Sequence, residues 1–268
     1  GKKIGRVDTH RRFGAGKGFF GAACSPLVYT NVVFLNVGGR DGSGLVAFDA
    51  ASGDVLWTAT DDEASYASPV AATLAGAPRI LFFTGRGLSG ADPETGKIAF
   101  QLRWRARSRA SVNAATPLVI GESIFLSASY GTGAVLLQVQ GAGLQNLWSS
   151  SDVLSNHYAT SVYHDGYLYG YHGRQEYGPS LRCVELTTGK VRWSNDGFGA
   201  GTVTVAGGRL LLMREGGQLV LAEASPESFR PISKAKILSG TVRAYPAIAD
   251  GLLYARSKDK LVCVNLRE

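Results

Sequence analysis

Apolar positions along this chain gather in short runs, each closed within a few residues by Gly, Asp, Asn or Ser, and helical periodicity is absent throughout. Short apolar runs rich in Val, Leu, Tyr and Phe and bounded by turn residues predict strands, not helices. The runs also recur. A small or hydroxyl residue, then Pro or an apolar residue, opens Ser25-Pro26-Leu27-Val28, Ser68-Pro69-Val70-Ala71 and Thr116-Pro117-Leu118-Val119. The same opening returns at Thr160-Ser161-Val162, Thr202-Val203-Thr204-Val205 and Tyr245-Pro246-Ala247-Ile248. The second residues of these copies are spaced 43, 48, 44, 42 and 43 apart. Each copy runs on into a second strand, at residues 32–36, 80–84, 123–127, 167–171, 209–213 and 252–256.

A third strand, a turn and a fourth strand follow. The turns share one chemistry. Asp49-Ala50-Ala51-Ser52-Gly53 precedes Trp57, Asp92-Pro93-Glu94-Thr95-Gly96 precedes Phe100, and Glu185-Leu186-Thr187-Thr188-Gly189 precedes Trp193. The acidic side chain can bond the turn backbone, and Gly supplies the positive φ of a tight reversal. The aromatic four residues on can pack between neighbouring sheets. Weaker versions stand at residues 140–143 before Trp148 and at residues 223–226 before Phe229. Four short strands repeated every ~44 residues predict an all-β fold, a β-propeller of four-stranded antiparallel blades. The reading treats 1–268 as one propeller domain. Six blades follow from the count, with the N-terminal residues Gly1-Lys2-Lys3-Ile4-Gly5-Arg6-Val7 supplying the strand that the last copy lacks. The rival count is eight blades, two of them N-terminal and missing.

These turn motifs resemble the PQQ-like repeat family, which takes in quinoprotein alcohol dehydrogenases, the outer-membrane assembly propeller lipoprotein and other exported bacterial propellers. The resemblance covers nearly the whole chain and implies the propeller scaffold. It also implies a periplasmic or otherwise exported protein, whose leader is absent from this chain. The quinoprotein enzymes imply adjacent cysteines in a ring-forming disulfide, a Ca²⁺ site and a catalytic Asp. Here Cys24, Cys183 and Cys263 are far apart and no residue matches those roles, so no cofactor is expected and PQQ least of all. The cysteines read as buried free thiols, with a Cys183–Cys263 bridge open in an oxidising compartment.

Composition adjusts this picture only slightly. Charged residues are 18% of the chain, too few for a disordered segment, and no apolar run approaches a membrane span. A net charge of +7 suits an anionic partner, but the basic residues read as scattered, which disfavours nucleic acid. The Gly-rich run at residues 38–44 lacks the Lys-Ser/Thr of a phosphate loop and reads as a long hairpin loop.

In a propeller the links from each fourth strand to the next first strand lie near the axis. They would gather Asp62, Glu63, Tyr66, Arg107, Arg109, Asn113, Asn156, His157, Tyr158, Arg243 and Tyr245 into one polar funnel. This is the expected ligand-binding site; the alternative is a satisfied polar plug. No catalytic or metal-ligating set emerges: Asp62 and Glu63 point to opposite faces if extended, and the histidines are dispersed. The function expected is therefore a non-catalytic binding or scaffold propeller of the bacterial cell envelope, with a protein or glycan partner. The alternative is a quinone- or metal-dependent oxidoreductase using the funnel.

Overall fold

The computed structural model describes residues 2–3, 5–107 and 112–267, and divides into two compact units, residues 1–149 and 150–268. Unit 1 opens with a short helix α1 (Thr9–Phe13), capped by Asp8, whose carboxylate accepts from the Arg11 amide at 3.1 Å. Three antiparallel sheets follow, each a simple meander. The first holds β1 (Leu27–Tyr29), β2 (Val32–Asn36), β3 (Leu45–Asp49) and β4 (Val55–Ala59). The second holds β5 (Val70–Leu74), β6 (Ala77–Phe83), β7 (Gly87–Ala91) and β8 (Ile98–Arg103). The third holds β9 (Leu118–Ile120), β10 (Ser123–Ala128), β11 (Gly133–Gln140) and β12 (Gly143–Ser150).

Unit 2 repeats the plan. Its sheets are β13 (Val162–His164), β14 (Tyr167–His172), β15 (Ser180–Glu185) and β16 (Val191–Asn195), then β17 (Gly201–Ala206), β18 (Arg209–Arg214), β19 (Gln218–Glu223) and β20 (Pro231–Lys236). The last is β21 (Ala247–Ala249), β22 (Leu252–Arg256) and β23 (Leu261–Asn265).

Each unit is held by sheets stacked face to face, and period two explains how. Along β6, Ile80 and Phe82 pack with Phe34, Leu45 and Trp57 of the first sheet. Leu81 and Phe83, their neighbours in sequence, pack with Ile124, Leu126 and Val135 of the third. In β18, Leu210 and Leu212 meet Tyr169 and Leu181 on one side. Leu211 and Met213 meet Leu253 and Ala255 on the other. A strand buried on both faces must be apolar at every position, which is why these second strands read as unbroken runs instead of alternating ones. Antiparallel four-stranded meanders stacked in this way are the blades of the β-propeller fold class.

The turn motif performs as its chemistry predicts. The Asp49 carboxylate accepts from the Ala51 and Ser52 amides at 2.9 and 2.8 Å, and the Asp92 carboxylate from the Glu94 and Thr95 amides at 3.1 and 2.9 Å. These donors hold both carboxyls below their ordinary pKa. The Glu185 motif keeps the same turn, its Gly189 amide bonding the Glu185 carbonyl at 2.9 Å. Each of the three turns sits beside a register shift between the third and fourth strands, and the divergent fifth copy keeps that shift between Leu221 and Ala222. The Trp57 indole donates to the Pro93 carbonyl of the next sheet at 3.0 Å, and the Trp193 indole to the Ser225 carbonyl at 2.9 Å. The aromatic of one blade thus clamps the turn of its successor.

Some expectations need correction. The last sheet has three strands among the described residues, and Lys2, Lys3 and residues 5–7 carry no strand. With Gly5 where the other copies place an aromatic, this segment brings little to bury. Of the cysteines only Cys183 is buried; Cys24 is half-buried, Cys263 is exposed, and all three are free thiols. Cys183 packs on one face of the fifth sheet while the last sheet, which carries Cys263, packs on the other, so a whole sheet separates the two thiols. Burial pushes the Cys183 thiol up to about 11.

Candidate functional site

Within unit 1 the links preceding the three sheets do come together. The Tyr66 hydroxyl accepts from the Phe20 amide at 3.2 Å, and the two rings lie 5.7 Å apart. The Asn113 carbonyl accepts from the amides of Tyr66 and Ala67 at 3.1 and 3.0 Å and from the Ser65 hydroxyl at 2.8 Å. Asn113 is fully buried, and its amide group donates to the carbonyls of Thr84 and Trp104 at 2.8 and 3.0 Å. This asparagine is a staple between links.

Asp62 is buried as well. Its Oδ2 lies 3.0 Å from the Thr84 hydroxyl and 3.2 Å from that of Ser89, and Arg86 Nε stands 3.7 Å from Oδ1. Gln101 donates to Ser89 at 2.9 Å, extending the network into a cleft of about 230 Å³ lined by Arg86, Leu88 and Arg103. That volume falls short of the ~300–1,000 Å³ usual for small-molecule sites. Glu63 turns the other way, is exposed, and stands 3.9 Å from Arg105. The neighbours Asp62 and Glu63 therefore do not face one substrate. Arg107 is exposed, and Arg109 lies outside the described residues. The Gly-rich run is the β2–β3 loop, with Gly44 pressed so closely on the backbone of Asp62 that a Cβ would stand 2.6 Å from the Asp62 amide.

Unit 2 gathers its own links. The Tyr158 hydroxyl donates to Glu215 Oε1 at 2.8 Å, and Arg243 Nε donates to the same oxygen at 2.7 Å while lying 5.7 Å from the Tyr158 ring. Burial first, then the Glu215 carboxylate, drives the Tyr158 pKa upward, so the phenol stays protonated and a donor. The Tyr245 hydroxyl accepts from the Thr160 amide, and Asn156 is buried, donating to the Tyr171 carbonyl at 3.2 Å and accepting from the Ser161 hydroxyl at 3.1 Å. His157 Nδ1 accepts from the Gln175 amide at 3.4 Å and lies 3.9 Å from Glu176, which pairs with Arg174 at 3.0 Å. Burial lowers the His157 pKa, Glu176 opposes it, and Arg174 and Arg243 add to the fall. The void bounded by His157, Tyr158, Tyr171 and Gln175 measures about 10 Å³, roughly one water.

The structure thus places Tyr66 and Asn113 in one cluster, with Asp62 and Glu63 flanking it. Tyr158 and Arg243 form a second cluster in the other unit, beside Asn156, His157 and Tyr245. Sequence reasoning missed Thr84, Ser89 and Glu215. Thr84 and Glu215 directly follow the second strand of their repeats, as do Ser129 and Ser257. A polar residue recurring at that position was the available signal. Among the described residues no group of three His, Cys, Asp or Glu converges to hold a metal.

A family model described as outer membrane protein assembly factor BamB matches residues 12–195 and 178–266. Among solved structures the chain is similar to BamB from Moraxella catarrhalis, with a TM-score of 0.71 and 18% identity over 91% of this chain and 72% of that one. It is also similar to the computationally designed Ika8 protein (TM-score 0.66, 12% identity, 92% of this chain and 71% of that one). A quinohemoprotein alcohol dehydrogenase from Comamonas testosteroni gives a TM-score of 0.61 at 12% identity, over 88% of this chain and 51% of that one. At such identities the likeness is one of fold. No curated protein matches the chain.

Proposed function

We propose, because the chain belongs to the family of the outer membrane protein assembly factor BamB, that it is a non-catalytic scaffold of the bacterial cell envelope. In this reading it works in the periplasm and presents its link residues to a protein partner, with a glycan as the other candidate. One observation carries the reading. The buried link groups Asp62, Asn113 and Asn156 all bond to neighbouring backbone or hydroxyl groups. A general acid or base must reach a proton on its substrate, and these side chains are engaged in holding links together. What remains accessible is a rim of both signs, Arg243 half-exposed beside Glu215 and Arg174 beside Glu176. Mixed rim charges steer and register a protein partner more than they add affinity.

The experiment is a binding titration of the purified chain against the soluble portion of an outer-membrane assembly component. The charge reversals Arg243→Glu and Arg174→Glu should each slow association and weaken its salt dependence, while thermal unfolding checks that each variant is folded. Absence of binding, together with quinone-coupled turnover of an alcohol, would instead support the oxidoreductase that the quinohemoprotein likeness suggests.

A further inference from the structure

The basic charge of the chain is not spread evenly. Residues 1–20 hold Lys2, Lys3, Arg6, Arg11, Arg12 and Lys17 against the single acid Asp8, which is five of the seven net positive charges of the whole protein. All six of these cations are exposed. The same segment ends in two aromatic side chains turned to solvent, Phe19 at 91% exposure and Phe20 at 63%.

This tip is held in place. The Gly21 amide bonds the Gly18 carbonyl at 2.9 Å to close the turn, and Phe20 is fixed to Tyr66 through its amide and its ring. Upstream, Phe13 of α1 packs edge-on against Phe48 at 6.0 Å and its carbonyl accepts from the Arg40 amide at 2.9 Å. Two adjacent large apolar side chains exposed on a fixed turn form an apolar patch of the kind that marks an interaction surface. Basic residues that lead in sequence into exposed aromatics match the layered chemistry of an anionic bilayer surface. The rings sit at headgroup depth and the cations meet the negative potential outside it. The two rings stand edge-to-face at 83° and 4.8 Å, which offers no stack of parallel faces for successive bases and so favours lipid over nucleic acid.

We propose that the turn at residues 18–21, together with the basic residues before it, docks the protein onto an anionic lipid surface, with Phe19 and Phe20 seated among the headgroups. Phe19, unlike Phe20, touches no member of the link clusters in the contacts described, so lipid docking read at Phe19 and partner binding by the links can fail separately.

The test is co-sedimentation of the full chain with vesicles of phosphatidylglycerol and phosphatidylcholine, set against phosphatidylcholine alone. The expected result is partitioning onto the anionic vesicles only, weakened by salt. It should fall about tenfold in Phe19→Ser and comparably in Arg11→Gln/Lys17→Gln. Both variants change exposed side chains and should unfold at the wild-type temperature. No binding to anionic vesicles, equal binding to neutral ones, or unchanged partitioning of Phe19→Ser overturns the proposal. Tight, salt-sensitive binding to heparin or RNA that ignores the Phe19 change would overturn lipid docking and reassign the basic segment to an anionic polymer.

Discussion

Gly96 carries two demands at once. Its φ of +72° lies in the left-handed region, and a Cβ there would stand 2.6 Å from the indole of Trp57. Gly96→Ala should therefore cost about 2–5 kcal/mol, the sum of a left-handed alanine and an overpacked contact, read as a lowered urea midpoint. An unchanged midpoint would mean that the clamp between the first two sheets is not formed. The histidines of unit 2 give a second residue-specific expectation. His172 Nδ1 accepts from the Ser155 amide at 3.2 Å, as His157 Nδ1 does from Gln175, and burial is the main cause lowering both pKa values from 6.5. Since the folded chain prefers neutral imidazoles, the unfolded chain takes up protons first as pH falls below about 6.5. Stability should drop through that window and level off below the depressed folded values. Urea midpoints at pH 7.5 and 5.5 test this, and His172→Gln should flatten the difference; equal midpoints in the wild type would contradict it. The depressed carboxyls of Asp92 and Glu176 act separately, at the acid end, where their protonation removes a further contribution.

The second strands are where sequence and architecture agree most closely. β2 and β22 occupy the expected residues, because an apolar run between a hairpin and a polar stop leaves little freedom in register. The doubly buried β6 makes a sharp prediction: Phe82→Ala and Phe83→Ala, on opposite faces, should each cost about 3–5 kcal/mol. In β20, exposed along its whole length, Ile232→Ala should stay within about 0.5 kcal/mol. Denaturant titration separates the cases, and a Phe82 or Phe83 variant as mild as the Ile232 one would refute the stacking. The turns were legible for the same local reason: an acid, a hydroxyl and a glycine at fixed spacing satisfy their own backbone. The bonds that Glu215 and Thr84 make were not legible, because their partners Tyr158, Arg243 and Asp62 lie in other links and are brought near only by stacking of the sheets. That the last sheet has three strands among the described residues also escaped, since the spacing of Gly1 and Gly5 imitates a turn motif without the side chains that hold one.

For the chain as a whole, family membership and the sheets stacked within each unit give the scaffold, while function rests on the links. Each unit draws its own links together, Phe20, Tyr66 and Asn113 in one and Tyr158, Glu215 and Arg243 in the other. Their buried members tie neighbouring links into a frame, and their accessible charges are what a partner would meet. The most direct measurement is amide hydrogen exchange of the full chain with and without a soluble outer-membrane assembly component. Added protection is predicted in residues 61–67 and 112–116 of unit 1 or residues 155–160 and 240–246 of unit 2. Protection confined to the outer strands β4, β8 and β20, with the links unchanged, would contradict a scaffold that binds through them.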